Sequence, residues 1–228
     1  MDFFVGIFND FYRTMIQDGR WLLLVEGLWN TIYIAICAVL IGTVIGCVLA
    51  LCKISKSKVL RAVANTYTTI IRGIPLATQL MIFYFVIFAP FGMDRHMVAV
   101  IACGINSGAY VTEIFRAGIQ GVDGGQMEAG RSLGLNRAQT MWRIVIPQAV
   151  KTALPTYTSE FIALIKETSV LSFIAVTDLN KAGDLIRNAT YNAWIPLITI
   201  AVIYLLITFG LTKLFALLER RLARSDRG

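Results

Sequence analysis

The sequence is poor in charge. Only 15% of its 228 residues are Asp, Glu, Lys or Arg, whereas 57% belong to the apolar set AVILMFWYC. A soluble domain carries about 25% charged residues, so too little charge is present here to coat a globule of this size in water. That excludes an ordinary soluble enzyme and a disordered chain, and leaves an integral membrane protein. Histidine is nearly missing: His96 stands alone, and the four cysteines, Cys37, Cys47, Cys52 and Cys103, form no CxxC pair. No ligand set for zinc or haem and no secretory disulfide framework follows, so the cysteines are expected to be small buried hydrophobes. A phosphate-cradling GxxxxGKS/T loop is also absent, and with it that route to nucleotide hydrolysis. The first 19 residues carry Asp2, Asp10 and Asp18 but only Arg13, which is not the basic start of a signal peptide.

What is present is long apolar runs. The stretches 28–52 and 73–93 are uncharged, each enough for the roughly 20 residues that cross hydrocarbon as a helix. Adding runs that carry a few charges predicts five spans, at about 28–52, 62–92, 97–122, 153–176 and 190–212, within a membrane domain over 21–218. Residues 1–20, with Phe4, Ile7, Phe8, Phe11 and Met15 at helical spacing, read as a short amphipathic helix on the outer surface. Residues 219–228 read as a basic cytoplasmic tail. Lys and Arg fix the orientation. Lys53, Lys56, Lys58, Arg61, Arg131, Arg137, Arg143, Lys151, Arg220, Arg221, Arg224 and Arg227 gather on one side, against Arg13, Arg20, Arg95, Lys181 and Arg187 on the other. The basic side is cytoplasmic, with the N-terminus outside and the C-terminus inside. The net charge of +7 then reports orientation rather than a nucleic-acid partner.

The loop 123–151 has internal order. Gly134 is placed to end a first short helix in the left-handed conformation. Asn136 and Gln139 have the spacing of a capping box that starts a second, with Met141, Ile144 and Val145 as an apolar stripe. Pro147 should break or bend that helix before the next span.

Glu128, Ala129, Gly130, then Gly134, then Ile144, Val145, Ile146 and Pro147 resemble the EAA signature of permease subunits of bacterial ATP-binding cassette importers, with Gly130 in place of the second alanine and Ile146 in place of leucine. Arg72–Gln79, Asn106–Val122 and Glu160–Leu171 are similar to the polar amino acid subfamily of these permeases, so the likeness extends over about residues 20–222. The resemblance implies a type I importer fold: all-α, five membrane helices and a cytoplasmic coupling helix. It also implies an extracytoplasmic amino-acid-binding protein, a second permease subunit, identical or paralogous, and a cytoplasmic ATPase dimer that binds ATP and Mg. This chain itself would be no enzyme and hold no cofactor, and the loop residues Glu128, Ala129, Gly130, Gly134, Ile144 and Pro147 would engage the ATPase. Its location would be the bacterial cytoplasmic membrane, in contact with the lipid bilayer.

Ionisable groups within spans are costly unless paired or hydrated, so each is a candidate for the transport path. Glu160 and Glu167, seven residues apart, share a helical face, from which Lys166 is turned by about 100°. Asn106, Tyr110 and Glu113 align on the third span, and Arg72 and Gln79 share a face of the second around Pro75. These faces are expected to converge on a cavity for a zwitterionic amino acid. Glu160 and Glu167 would take the ammonium or a basic side chain, and Arg72 and Gln79 the carboxylate, with Asn106 and Tyr110 beside them. For Glu113 and Lys166 a clamp between helices is the favoured role, Glu113 with Arg116 and Lys166 with a carboxylate of another span. The small residues Gly42, Gly46 and Ala50 form a packing ridge. The leading function is therefore a subunit of an ATP-driven importer of a polar amino acid, basic or glutamine-like; the alternatives are an ion-coupled secondary carrier and a membrane scaffold.

Overall fold

The computed structural model describes residues 2–224, with only the backbone described at residues 2–5, 7 and 222–224. All of its regular structure is helical, and no strand occurs among the described residues. In chain order the elements are α1 (Asp2–Phe11) with a π turn at Tyr12–Ile16, α2 (Trp21–Ile54), α3 (Lys58–Gly73), and α4 (Leu76–Ile82) with a π turn at Phe83–Ile87. They continue with α5 (Arg95–Gln120), α6 (Gly124–Ser132), α7 (Arg137–Thr140), α8 (Ile146–Glu167), α9 (Leu179–Thr190) and α10 (Trp194–Arg224). On the expected outer surface helix, Phe8 and Phe11 are exposed while Met15 is buried; the side chains of Phe4 and Ile7, Arg224 of the tail and all of Arg227 lie outside the described side chains.

Three helices, Trp21–Ile54, Arg95–Gln120 and Trp194–Arg221, are long and apolar enough to cross a bilayer. The second expected span is instead a broken pair, α3 and the α4 segment, bent by 103°. The cause is local. Proline disfavours the helical conformation in the residue before it, and Ile74 is extended at φ −111° and ψ 132°, so α3 ends at Gly73 and α4 begins after Pro75. Arg72 and Gln79 therefore do not share a helix face, which corrects that expectation. The fourth span also departs from its expected bounds. α8 runs from Ile146 to Glu167 and passes into a 3-10 turn at Thr168–Ile174 that ends at a left-handed Ala175.

Pro147 does not separate the loop from α8. Between α7 and α8 the chain keeps helical dihedrals through a π turn at Met141–Val145, where the Ile146 N–H donates to the Met141 carbonyl. Pro147 follows directly in α8, where the π turn has already shifted the helical hydrogen-bond register that its missing N–H would interrupt.

The chain divides into two compact units. The first comprises Met1–Ala38, Pro75–Cys103 and Ala163–Gly210. Its core joins Met15, Leu24, Leu179, Ala182, Ile186, Ile195 and Ile200. Between the fourth and fifth expected spans, Leu179, Ala182, Gly183 and Ile186 form the buried stripe of the amphipathic α9. Asp178 caps α9, accepting from the Asn180 and Lys181 N–H groups at 3.0 Å each. Thr31 Oγ1 accepts from the Leu179 N–H at 3.1 Å, and Asn30 donates to the Thr177 carbonyl at 2.8 Å. Asp178 is fully buried, and that burial pushes its carboxyl up to about 6, against the backbone N–H groups of Lys181, Asn180 and Asp178 itself that lower it; the charge of Asp184 adds to the rise.

The second unit comprises Val39–Ile74, Gly104–Ile162 and Leu211–Gly228. Here α2 meets α5 through small residues. A Cβ on Gly46 would lie 2.5 Å from Val111 Cγ1 and one on Gly42 2.9 Å from Ser107 Oγ, so only glycine allows the helices this close. Tyr67 of α3 donates to the Ile105 carbonyl at 2.6 Å, and the Thr43 and Tyr157 hydroxyls meet at 2.6 Å. Near the end of α10, Glu219 accepts from Thr158 Oγ1 at 2.9 Å. Of the four cysteines only Cys103 is buried; Cys47 is exposed and lines an apolar groove with Phe115 of α5 and Ala149 of α8, where a weakly polar thiol needs no burial.

Candidate functional site

The loop 123–147 is built rather than slack. Asp123 caps α6, its Oδ1 accepting from the Gly125 N–H at 2.7 Å. The helix closes with the Leu133 N–H on the Ala129 carbonyl at 3.1 Å and the Leu135 N–H on Gly130 at 3.2 Å, across a left-handed Gly134 at φ 85°. The capping box that starts α7 is complete: the Gln139 N–H donates to Asn136 Oδ1 and the Asn136 N–H to Gln139 Oε1, both at 2.9 Å. Gly130 is the contact point between the two halves. A Cβ there would stand 2.5 Å from Thr140 Cγ2 and 2.9 Å from Ile144 Cδ1. Glycine in place of the signature's second alanine is thus a packing requirement in this chain. Glu128, Ala129 and Pro147 are exposed, Ile144 is half-buried, and two large apolar side chains stand out from the loop, Leu133 at 81% exposure and Trp142 at 64%.

The second site lies within the second unit, where Lys53, Thr68, Thr69, Arg72, Gly73, Tyr110 and Glu113 line an open recess of about 390 Å³. α2 brings Lys53, α3 brings Thr68 to Gly73, and α5 brings Tyr110 and Glu113. Glu113 is held from two sides. Lys53 donates to its Oε1, and Arg116, one turn along α5, donates to Oε2 through Nε at 2.8 Å and Nη2 at 2.7 Å. Lys53 also donates to Thr68 Oγ1 at 2.7 Å, which ties α2 to α3. With side-chain exposures of 7% for Lys53 and 21% for Glu113, the pair offsets much of the cost of burying each charge. Arg72 lies with its guanidinium carbon 5.1 Å from the centre of the Tyr110 ring, a cation–π contact.

Of the residues expected to form the transport site, the structure brings together Arg72 and Tyr110, with Glu113 beside them. Asn106 is buried on the same α5 face. Glu160 is half-buried on α8 and does not line this recess, while Gln79 and Glu167 belong to the other unit. Lys166 is exposed, with no carboxylate in ion-pair distance among the described residues, so the helix clamp expected of it is not formed. Lys53 and Thr68 were missed. Lys53 ends an apolar run and was counted only as an orientation charge, and nothing local in the sequence ties it to a carboxylate sixty residues away.

Residues 42–224 match the family described as the binding-protein-dependent transport system inner membrane component. The chain belongs to this family. Among its relatives in it, the putative glutamine transport system permease protein GlnP of Rickettsia bellii is 39% identical over 203 residues, covering 88% of this chain and 93% of that one. The arginine transport system permease protein ArtQ of Bacillus subtilis is 38% identical over 205 residues, covering 89% and 94%. The L-cystine transport system permease protein TcyB, also of Bacillus subtilis, is 37% identical over 213 residues, covering 92% and 91%. A chain from the crystal structure of an amino acid ABC transporter with histidines superimposes with a TM-score of 0.81 at 44% identity, covering 87% of this chain and 94% of its own. A chain of the inward-facing MetNI methionine transporter shares the fold, with a TM-score of 0.79 at 19% identity over 91% of this chain and 99% of its own. The importer permease fold and membership of the transport family are thereby established, and this inner membrane component is a transport subunit.

Proposed function

We propose that this permease is the transmembrane subunit of an ATP-driven importer of a polar amino acid, working with a cytoplasmic ATPase pair, a second permease subunit and an external binding protein. The observation that carries the coupling mechanism is the rigid pair of short helices in the loop 123–147, closed by the capping box at Asn136 and the Gly130 contact, with Glu128, Leu133 and Trp142 exposed on it. A loop that moves as one body can pass a displacement at its surface to α8, which continues from it through the π turn. The ATPases close on ATP, the loops are drawn together, and the membrane helices turn from inward to outward facing; hydrolysis resets them. ATP and Mg belong to the ATPase, and this chain contributes the path and the loop. The N-terminus faces out and the loop and C-terminus face the cytoplasm, as the basic residues indicate.

Relatives named for glutamine, arginine and cystine support a polar amino acid as the cargo. The residues proposed to meet it are Glu160, Glu167, Arg72, Gln79, Asn106 and Tyr110. The test of coupling is Glu128→Ala in the complete transporter. Amino-acid-stimulated ATP hydrolysis should fall while the complex stays assembled, whereas unchanged stimulation and uptake would remove the loop from the coupling path.

A further inference from the structure

The charges around the recess of the second unit are unequally satisfied. Both oxygens of Glu113 are engaged, one by Lys53 and the other by Arg116. Lys53 uses one N–H on Glu113 and one on Thr68, and keeps a third. Arg72 is different. It stacks on the face of Tyr110, and among the described residues none of its five N–H groups meets an acceptor. It is also exposed, and it sits one residue before the break in the bent span, where a guanidinium facing hydrocarbon would cost several kcal/mol. The recess supplies the aqueous space this residue needs. Among the lining residues, Lys53 and Arg72 against Glu113 leave one positive charge over.

An open recess with surplus donors, one uncompensated positive charge and a planar guanidinium fork suits a single planar anion. We infer that it takes the α-carboxylate of the transported amino acid, clamped by Arg72 and reached by the remaining N–H of Lys53. Thr68 and Glu113 act as positioning residues that aim Lys53 into the recess. At about 390 Å³ the space is of the size that holds small ligands. The site reads the backbone of the amino acid rather than its side chain, so it rejects molecules with a neutralised carboxylate whatever side chain they carry. Lys53 thereby joins Arg72 as a donor to the carboxylate.

This inference rests on the amino acid permease reading, and the experiment separates the two. The purified permease–ATPase complex in phosphatidylcholine nanodiscs is titrated with L-glutamine and L-arginine, and with the α-amide of each, which keeps the side chain and ammonium but not the carboxylate. The acids should bind at least about tenfold more tightly than the amides, the value of one charged hydrogen-bonded contact. Arg72→Gln should bring acid and amide to within about twofold of each other, and Arg72→Lys should keep part of the preference, since charge remains without the fork. Arg72 is exposed and has no ion-pair partner among the described residues, so its replacement removes the stacking on Tyr110 without stranding a buried charge. An unchanged preference in Arg72→Gln, or no binding of either acid to the unsubstituted complex, overturns the subsite. A preference abolished by phosphatidylglycerol discs would assign the recess to lipid phosphate and overturn it as well. In each of these cases ATP-driven amino acid uptake by the full transporter leaves the importer reading standing, whereas no uptake of any amino acid removes that reading itself.

Discussion

The loop 123–147 and the charged cluster around Glu113 are both held by reciprocal side-chain bonds, but over very different distances along the chain. The loop closes its capping box across three residues, Asn136 to Gln139, and its surface is open to water. The cluster joins Lys53 to Glu113 across sixty, with little exposure at either end. Damage to the loop is therefore expected to stay local and to appear in coupling. Damage to the cluster leaves a charge without its partner among packed helices and is expected to appear in stability.

The largest effect tests the cluster. Glu113→Leu leaves the little-exposed Lys53 without a carboxylate, while Arg116 keeps Gln120, and a broken buried pair costs about 3–5 kcal/mol. The thermal unfolding midpoint in nanodiscs should drop strongly, and adding Lys53→Met should recover a large part of the loss. If the double variant is no better than the single one, Lys53 is not the partner that holds Glu113. The next effect tests the loop. Gly130→Ala forces a methyl group into Thr140 and Ile144, and overpacking of this kind costs about 1–3 kcal/mol. Amide exchange should rise within 124–147 and not in α5, and substrate-stimulated ATP hydrolysis should fall. Asn136→Ala, which removes the cap, should do the same more weakly, at about 1 kcal/mol. Exchange that rises throughout the chain would erase the distinction between local and non-local damage.

The smallest effect concerns the first unit. The folded carboxyl of Asp178 titrates at about 6 against an ordinary value of 3.8, so between these values the folded chain binds a proton that the unfolded chain has lost. Stability should therefore fall as pH rises from about 4 to about 6 and level off above, opposite to the behaviour of a salt-bridged carboxylate. Asp178→Asn, which can still cap α9, should flatten that part of the unfolding profile. A profile unchanged by the substitution would assign the slope to other groups.

How far the sequence disclosed this structure follows the same division between near and far. The loop was legible because capping signals act over three or four residues, and the apolar spans were legible because a bilayer requires long uncharged runs. The break at Ile74 was written locally too, in the constraint proline places on its predecessor, although the unbroken apolar run concealed it. α9 was missed because its stripe of Leu179, Ala182 and Ile186 is short and lies among polar residues. Pro147 stands just after regular α-helix gives way to a π turn at Met141–Val145, although the chain remains helical into α8. Lys53 and Thr68 could not be read at all, because which charge meets Glu113 is decided by how α2, α3 and α5 pack.

The most direct test of the central claim is uptake of radiolabelled L-glutamine and L-arginine into proteoliposomes holding this chain, with its ATPase and binding protein added or withheld. The account predicts accumulation of at least one of them only when the ATPase, ATP and the binding protein are all present, and none by the chain alone under a proton or sodium gradient. Accumulation driven by an ion gradient without ATP would contradict it and make the chain a secondary carrier.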